Sequence, residues 1–103
     1  MTVATATNRL VVTYMDPWPT GFLTGYEADG GVVLEHMVAC KPGVLLPMLR
    51  EGIEEARQRG YGHIRLRLPQ AYPDTTRLRL LALRMGFRRY HEDEEWLDYV
   101  KYL

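Results

Sequence analysis

The central part of the chain, residues 31–87, alternates between two hydrophobic periodicities. Residues 32–40 form a β-rich apolar run, and residues 63–68 alternate apolar and polar side chains with a period of two. Two further stripes repeat at helical spacing: Leu46, Leu49, Ile53 and Ala56, then Leu78, Leu81, Ala82 and Met85. Each stripe ends at a glycine, Gly60 or Gly86, which suits a helix C-terminus. The pattern predicts strand, tight turn, helix, strand, helix.

The flanking segments predict further strands. Residues 9–15 and 22–28 are rich in strand-forming side chains, and the segment between them contains two prolines and a glycine, which predict a loop. Asp29 and Gly30 predict a type I′ hairpin turn. Residues 88–91 and 96–102 read as two closing strands, and residues 1–7 as a frayed or edge segment.

The predicted order is β-β-β-α-β-α-β-β in a single domain, residues 1–103. The crossover from residues 31–40 to residues 63–68 should be right-handed and give at least one parallel or splayed strand pair. The fold class is therefore α+β (mixed α/β), with two main helices packed on a central, mainly antiparallel sheet.

Composition is that of an ordinary globular chain: 103 residues, 47% hydrophobic and 25% charged, with zero formal net charge. No apolar run approaches the roughly 20 residues that span a bilayer, and the first residues lack the basic and apolar regions of a signal peptide. The single cysteine, Cys40, has no partner for an internal disulfide. We therefore expect a cytoplasmic protein that does not engage a membrane.

Charge is distributed unevenly along the chain. Residues 57–89 contain nine arginines and one acid, Asp74, whereas residues 92–98 contain five acids. The arginines either cover solvated faces that the acidic tail partly neutralises or form a surface for phosphate or an acidic protein partner. Arg77, Arg79 and Arg84 are the candidates for such a partner surface. An arginine-rich nucleic-acid binder is a further alternative, but nucleic acid is the less favoured partner because no basic motif is flanked by aromatics and only the arginine stretch supports it.

The junction at residues 40–46 carries the main chemical signal. A strand that turns through Gly43 into a helix presents unpaired backbone N–H groups at the helix start, which is a natural seat for phosphate. Cys40 is expected to be a buried structural residue; the alternative is a nucleophile whose pKa the helix start lowers. The three histidines lack metal-ligand spacing with one another or with Cys40, so no metal site is expected.

This order of elements, closing on Gly86 and Phe87, resembles the GCN5-related N-acetyltransferase (GNAT) family over about residues 9–103. The resemblance implies an N-acyltransferase that uses acetyl-CoA or another acyl-CoA and acts on an amine. It assigns the pantetheine arm to Val38, Ala39 and Cys40, and the pyrophosphate to the turn and helix start: Lys41, Gly43, Val44, Leu45 and Leu46. Glu35 matches the position of a general base; alternatively it faces solvent or pairs with Arg65 or Arg67. His36 is expected on the opposite strand face from Glu35.

The chain also departs from the family pattern. Its turn has one glycine, Ala82 stands where the family places a general-acid tyrosine, and the N-terminal helices of the family are missing. Tyr72 or Tyr90 could replace that tyrosine from a neighbouring element. The departures leave open a catalytically inactive GNAT-fold module that binds protein, as an inhibitor, adaptor or assembly component. The small size also predicts a homodimer or larger assembly, formed through strands 9–15 or 96–102.

Overall fold

The computed structural model describes residues 2–6, 9–15, 18–41, 43–71 and 75–103 of the chain. They form one seven-stranded sheet and two helices. The elements are β1 (Thr2–Ala6), β2 (Arg9–Met15), β3 (Pro19–Ala28), β4 (Gly31–Ala39), α1 (Leu45–Gln58), β5 (His63–Pro69), α2 (Thr75–Arg84), β6 (Arg88–Glu92) and β7 (Trp96–Tyr102).

The sheet has the order β1-β2-β3-β4-β5-β7-β6. β4 and β5, joined through α1, are parallel, and every other neighbouring pair is antiparallel. The predicted fold class and the parallel crossover pair are therefore confirmed. The hairpin between β3 and β4 is confirmed as well, because Asp29 (φ 53°) and Gly30 (φ 77°) both have the positive φ that a type I′ turn requires.

Two expectations about strands change, and one open alternative is decided. β3 begins at Pro19 rather than at residue 22, since a proline is tolerated at the first position of a strand. Of the two alternatives for residues 1–7, a frayed segment or an edge segment, residues 2–6 form an edge strand, β1. Strands 9–15 and 96–102 are not exposed edges, because each has a paired neighbour on both sides. Association with a second copy stays a prediction, and these two strands no longer support it.

Both helices pack on the same face of the sheet. The alternating residues Ile64, Leu66 and Leu68 of β5 are buried in one cluster that also contains residues of both helices. α1 contributes Leu49, Ile53 and Ala56 to this cluster, and α2 contributes Leu78 and Ala82. The opposite face carries no helix among the residues that the structure describes.

The helix ends follow the local sequence. Gly60 (φ 82°) and Gly86 (φ 89°) adopt the left-handed conformation after α1 and α2, as predicted. Phe87 then returns to the core. Pro47 lies in the first turn of α1, where its missing N–H would have no helical partner. α2 begins at Thr75, and the preceding residue, Asp74, lies outside the described residues.

The acidic tail neutralises part of the arginine-rich stretch, as one of the two interpretations predicted. Arg67 Nε lies 3.6 Å from Asp98 Oδ1, and Arg89 Nη1 lies 3.2 Å from Glu92 Oε2. In the described part of the chain, neither helix is long and apolar enough to cross a membrane.

Candidate functional site

β4 and β5 separate halfway along their length. They pair only at Val32 with Ile64, Val33 with Arg65 and Leu34 with Leu66, although β4 continues to Ala39 and β5 to Pro69. The gap holds an opening of about 200 Å³, bounded on the helix side by Leu68 and Leu78. Beyond Leu34, the backbone of β4 has no β5 partner, so its N–H and C=O groups on that side can bind a ligand.

An extra residue in β4 coincides with this divergence. Thr24 of β3 pairs with His36, but the next residue of β3, Gly25, pairs with Leu34, so Glu35 is a bulge. Glu35 and His36 consequently share the helix-free face, where both line one recess. The expectation that they point to opposite faces is wrong, because the bulge interrupts the two-residue alternation.

His36 is fixed by its partner on β3. Thr24 Oγ1 and His36 Nδ1 lie 3.1 Å apart, and the two residues are opposite each other in the sheet. Both Glu35 and His36 are exposed. The bulge therefore places a carboxylate and an imidazole side by side at the mouth of the opening, within reach of solvent and of a bound molecule.

A second recess, of about 210 Å³, continues the opening on the helix-free face. Glu35, His36 and Arg67 line both cavities, and Tyr26, Val33 and Trp96 complete the second one. The guanidinium carbon of Arg67 lies 4.4 Å from the centre of the Trp96 ring. The salt bridges of the two β5 arginines run to other acids than Glu35: Arg65 to Asp29 at 3.8 Å and Arg67 to Asp98 at 3.6 Å.

The strand end and turn that follow the opening are accessible. Val38 is 40% exposed, and Ala39, Cys40 and Lys41 are exposed as well. Cys40 donates its backbone N–H to Thr20 O at 2.8 Å, which ties the strand end to β3. The expectation of a buried Cys40 is wrong: the residue lies just past the last β4 position, and its thiol is free and exposed.

The start of α1 is open to a ligand. Gly43 has a φ of 83°, which permits the sharp turn from strand to helix. Val44, the N-cap residue, is buried and makes no side-chain hydrogen bond to the helix. The first N–H groups of α1 are thus left without a capping side chain, which is the arrangement that favours an anion. Pro47 removes one of these donors.

A third recess, of about 530 Å³, lies between this turn and α2. Its walls include Gly43, Leu45 and Leu46 on one side and Arg77, Leu80 and Arg84 on the other. Arg79, the remaining candidate of the predicted partner surface, does not line it. Its charge instead acts on the Tyr99 hydroxyl in β7. Burial raises the pKa of that hydroxyl, and the charges of Arg79 and Arg89 oppose part of the rise. The three candidate arginines therefore belong to two different surfaces.

The position where the resemblance expects a tyrosine is closed to solvent. Ala82 is 0% exposed and packs in the core. Tyr90 is 59% exposed on the outer strand β6 and lines none of the three recesses, and Tyr72 lies outside the described residues. Neither tyrosine is thereby placed as a substitute.

Sequence reasoning missed Thr24 and Trp96 as parts of the site. The alternation of β5 places Arg65 and Arg67 on one face, but the register that brings Trp96 and Asp98 beside Arg67 depends on pairing with β7. No signal within the sequence specifies that register. The residues that the structure describes contain no cluster of three His, Cys, Asp or Glu side chains that could hold a metal ion.

Comparison with known proteins relates this arrangement to acetyltransferases. No protein-family model and no curated protein sequence matches the chain. Among solved structures, the ribosomal-protein-S18-alanine N-acetyltransferase of Escherichia coli superposes with a TM-score of 0.80 at 12% identity, over 95% of this chain and 71% of that one. The IAA acetyltransferase of Bacillus cereus gives a TM-score of 0.80 at 12% identity, over 93% and 79% of the two chains.

An acetyltransferase of Bacillus subtilis, solved in complex with CoA, superposes with a TM-score of 0.75 at 13% identity, over 93% of this chain and 78% of that one. These likenesses extend over nearly the whole chain. The protein therefore has the fold of GNAT acetyltransferases.

Proposed function

We propose that this protein is an acyl-CoA-dependent N-acyltransferase that acylates an amine. The observation that carries the proposal is the divergence of β4 from β5 directly before the turn into α1. The exposed Glu35 lies at this divergence, and the β4 residues 36–39, which have no β5 partner, lead along the chain to the uncapped start of α1.

The residues along this path fit the parts of acyl-CoA. The strand end at Val38, Ala39 and Cys40 suits the pantetheine arm, since the backbone groups there that face away from β3 have no β5 partner and can pair with an amide as a further strand would. The N–H of Cys40 is not among them, because it is donated to Thr20 O. The uncapped start of α1 suits the pyrophosphate. The recess beside it pairs apolar Leu45 and Leu80 with cationic Arg77 and Arg84, a combination suited to a nucleotide with a phosphate.

The chemistry needs an acceptor for one proton. Acyl-CoA supplies the thioester carbonyl carbon, its C–S bond breaks and a C–N bond to the amine forms. Glu35 takes the proton that the amine loses, which requires a carboxylate within hydrogen-bond reach of the nitrogen. Glu35 is the bulged residue at the mouth of the opening, so it faces the point where the thioester and an amine would meet.

A specific observation supports a second candidate. Ala82 is fully buried where a proton donor for the departing thiol would lie, and Tyr90 stands away from the opening. A fold that holds acyl-CoA without a general acid would serve as a binding module for a protein partner. Turnover, rather than CoA binding, separates the two candidates.

The experiment is calorimetric titration of the protein with acetyl-CoA and with CoA, followed by assays of thiol release with a panel of amines. We expect micromolar binding that weakens at least tenfold in the double variant Arg77→Glu/Arg84→Glu. Arg79→Glu is the control, because it reverses one charge on the same helix outside the recess, and it should bind normally.

The outcomes separate cleanly. Binding together with thiol release that Glu35→Gln abolishes, while CoA binding is retained, supports the transferase. Binding without transfer to any amine favours the module without catalysis. No binding at millimolar CoA, or equal weakening by the Arg79 control, would overturn the assignment of the turn and its recess to acyl-CoA.

A further inference from the structure

The recess on the helix-free face carries two opposite charges on two different strands. Glu35 lies on β4 and Arg67 on β5, and both line the same cavity of about 210 Å³. Because β4 and β5 separate beyond Leu34, these side chains stand on opposite sides of the opening. A cavity of this size admits a small molecule and excludes a folded partner.

Arg67 is held in place from two directions. Its guanidinium lies over the Trp96 ring at 4.4 Å, and its Nε faces Asp98 Oδ1 at 3.6 Å. The pairing of β5 with β7 sets both contacts, since Asp98 is directly opposite Arg67 and Trp96 is opposite Pro69. An arginine fixed in this way loses little conformational entropy when it binds a ligand.

The end of the guanidinium remains available for recognition. The ion pair with Asp98 engages the Nε edge, and the two terminal nitrogens make no hydrogen bond within the described ranges. Those nitrogens form a planar fork that matches the two oxygens of a carboxylate. Besides Glu35 and Arg67, the recess is lined by Tyr26, Val33, His36 and Trp96.

We propose that this recess binds a zwitterionic acceptor, a free α-amino acid or a similarly small molecule whose amine and carboxylate are neighbours. The carboxylate is received by Arg67, and the amine is directed toward Glu35. This inference rests on the proposed acyl transfer, for which it names the acceptor class. An amine without a carboxylate would make no bidentate contact with the terminal nitrogens of Arg67.

The test compares acceptors that differ only by the carboxylate: leucine and 3-methylbutylamine, tyrosine and tyramine, histidine and histamine. Thiol release from acetyl-CoA gives kcat/KM for each pair, and saturation-transfer NMR on the CoA-saturated protein gives binding without turnover. The variants are Arg67→Gln, which removes the charge, and Arg67→Lys, which keeps the charge but not the fork. Arg57→Gln, on the exposed face of α1 beside Glu54, is the surface control.

For at least one pair, we expect the amino acid to exceed the matched amine by about ten- to a hundredfold in kcat/KM. The ratio should fall about tenfold or more in Arg67→Gln, fall less in Arg67→Lys and stay unchanged in Arg57→Gln. Comparing the ratio between variants cancels the effect of amine basicity, which is the same in every variant, and of any loss of folded protein. CoA affinity should be the same in all variants.

Transfer with no preference for the carboxylate, or a preference that survives Arg67→Gln, would overturn the acceptor class and leave the transferase intact. Amino-acid binding that depends on Arg67 without any transfer would support the recess and overturn the transferase. Neither binding nor transfer for any pair, with CoA bound, would overturn both.

Discussion

The Thr24 hydroxyl and the His36 imidazole are joined by a hydrogen bond of 3.1 Å that spans β3 and β4. The next pair along the sheet is Gly25 with Leu34, so the bond sits directly beside the bulged residue Glu35. It locks the register on the far side of the bulge, because a slip by one residue would move His36 away from Thr24. The shape of the opening thus depends on where the bulge at Glu35 is held.

Deletion of Glu35 should leave the protein folded and close the opening. The other β4 residues can keep their β3 pairing, because Glu35 is the extra residue of the bulge. Without the bulge, β4 can continue beside β5 past Leu34, and the N–H groups of Met37 and Ala39, which face away from β3, should become protected from hydrogen exchange. Deletion of Val33 is the control: it turns Val32 away from the core and should destabilise the protein strongly. Fast exchange at Met37 and Ala39 in a folded Glu35 deletion would refute the role of the bulge.

Gly21→Ala should destabilise the protein by about 1–3 kcal/mol through overpacking. A methyl group at Gly21 would lie 2.8 Å from Met48 Sδ and from Val44 Cγ1, and 2.9 Å from the backbone oxygen of Val38. The last contact involves rigid backbone beside the candidate site, so the strain cannot be relieved by side-chain movement alone.

The control for this substitution is Gly62→Ala, where the nearest atom is the backbone oxygen of Gly30 at 3.8 Å. Urea unfolding should give stability within about 0.5 kcal/mol of the wild type there. Equal changes in unfolding free energy at the two glycines would show that the space between Gly21 and α1 is wider than these distances indicate.

Tyr99→Phe should reduce the loss of stability in alkaline solution. Tyr99 is only 2% exposed. This burial raises the pKa of its hydroxyl, while the charges of Arg79 and Arg89 oppose the shift. Above a pH of about 10 the unfolded chain releases this proton and the folded chain retains it, so folding stability falls as pH rises toward the folded pKa. Phenylalanine has no hydroxyl to ionise, so this part of the alkaline loss of stability disappears in the variant.

Urea midpoints at pH 8 and pH 11 measure the effect. The wild type should lose more stability between the two pH values than Tyr99→Phe does. Tyr102→Phe, at a residue 70% exposed, should behave as the wild type. An identical alkaline loss in all three proteins would contradict the shift at Tyr99.

Asp93 should titrate below its usual range and organise the turn between β6 and β7. Its Oδ1 accepts hydrogen bonds of 2.8 Å from the backbone N–H groups of Trp96 and Glu95, and these bonds, that of Trp96 first, lower the pKa of the carboxyl. The stabilisation is present above pH 3.8 and is lost as pH falls through the folded pKa.

NMR titration of the Asp93 carboxyl carbon tests this shift. Asp93→Asn keeps an oxygen acceptor and should remove the pH dependence of exchange protection at the amides of Glu95 and Trp96. Glu94→Gln, an exposed neighbour, should leave that dependence in place. A pKa at or above the ordinary aspartate value would contradict the two backbone bonds.

The sequence by itself determined the elements and the fold class. Apolar periods of two and 3.6 residues specified the strands and helices of residues 31–87, and glycines specified where both helices end, because these signals act between residues close in the chain. The turn at Asp29 and Gly30 was predictable for the same reason. The GNAT likeness of the architecture followed from the order of these elements.

Only the tertiary structure decided which side chains meet. One extra residue in β4, the bulge at Glu35, turned His36 to the same face as Glu35, and the pairing of β5 with β7 brought Trp96 and Asp98 to Arg67. Register and bulges arise from contacts between strands distant in sequence, and a slip of one residue reverses every face. The packing of α2 on the sheet fixes the direction of each α2 side chain. It therefore decided that Arg77 and Arg84 line one recess and that Arg79 lies outside it.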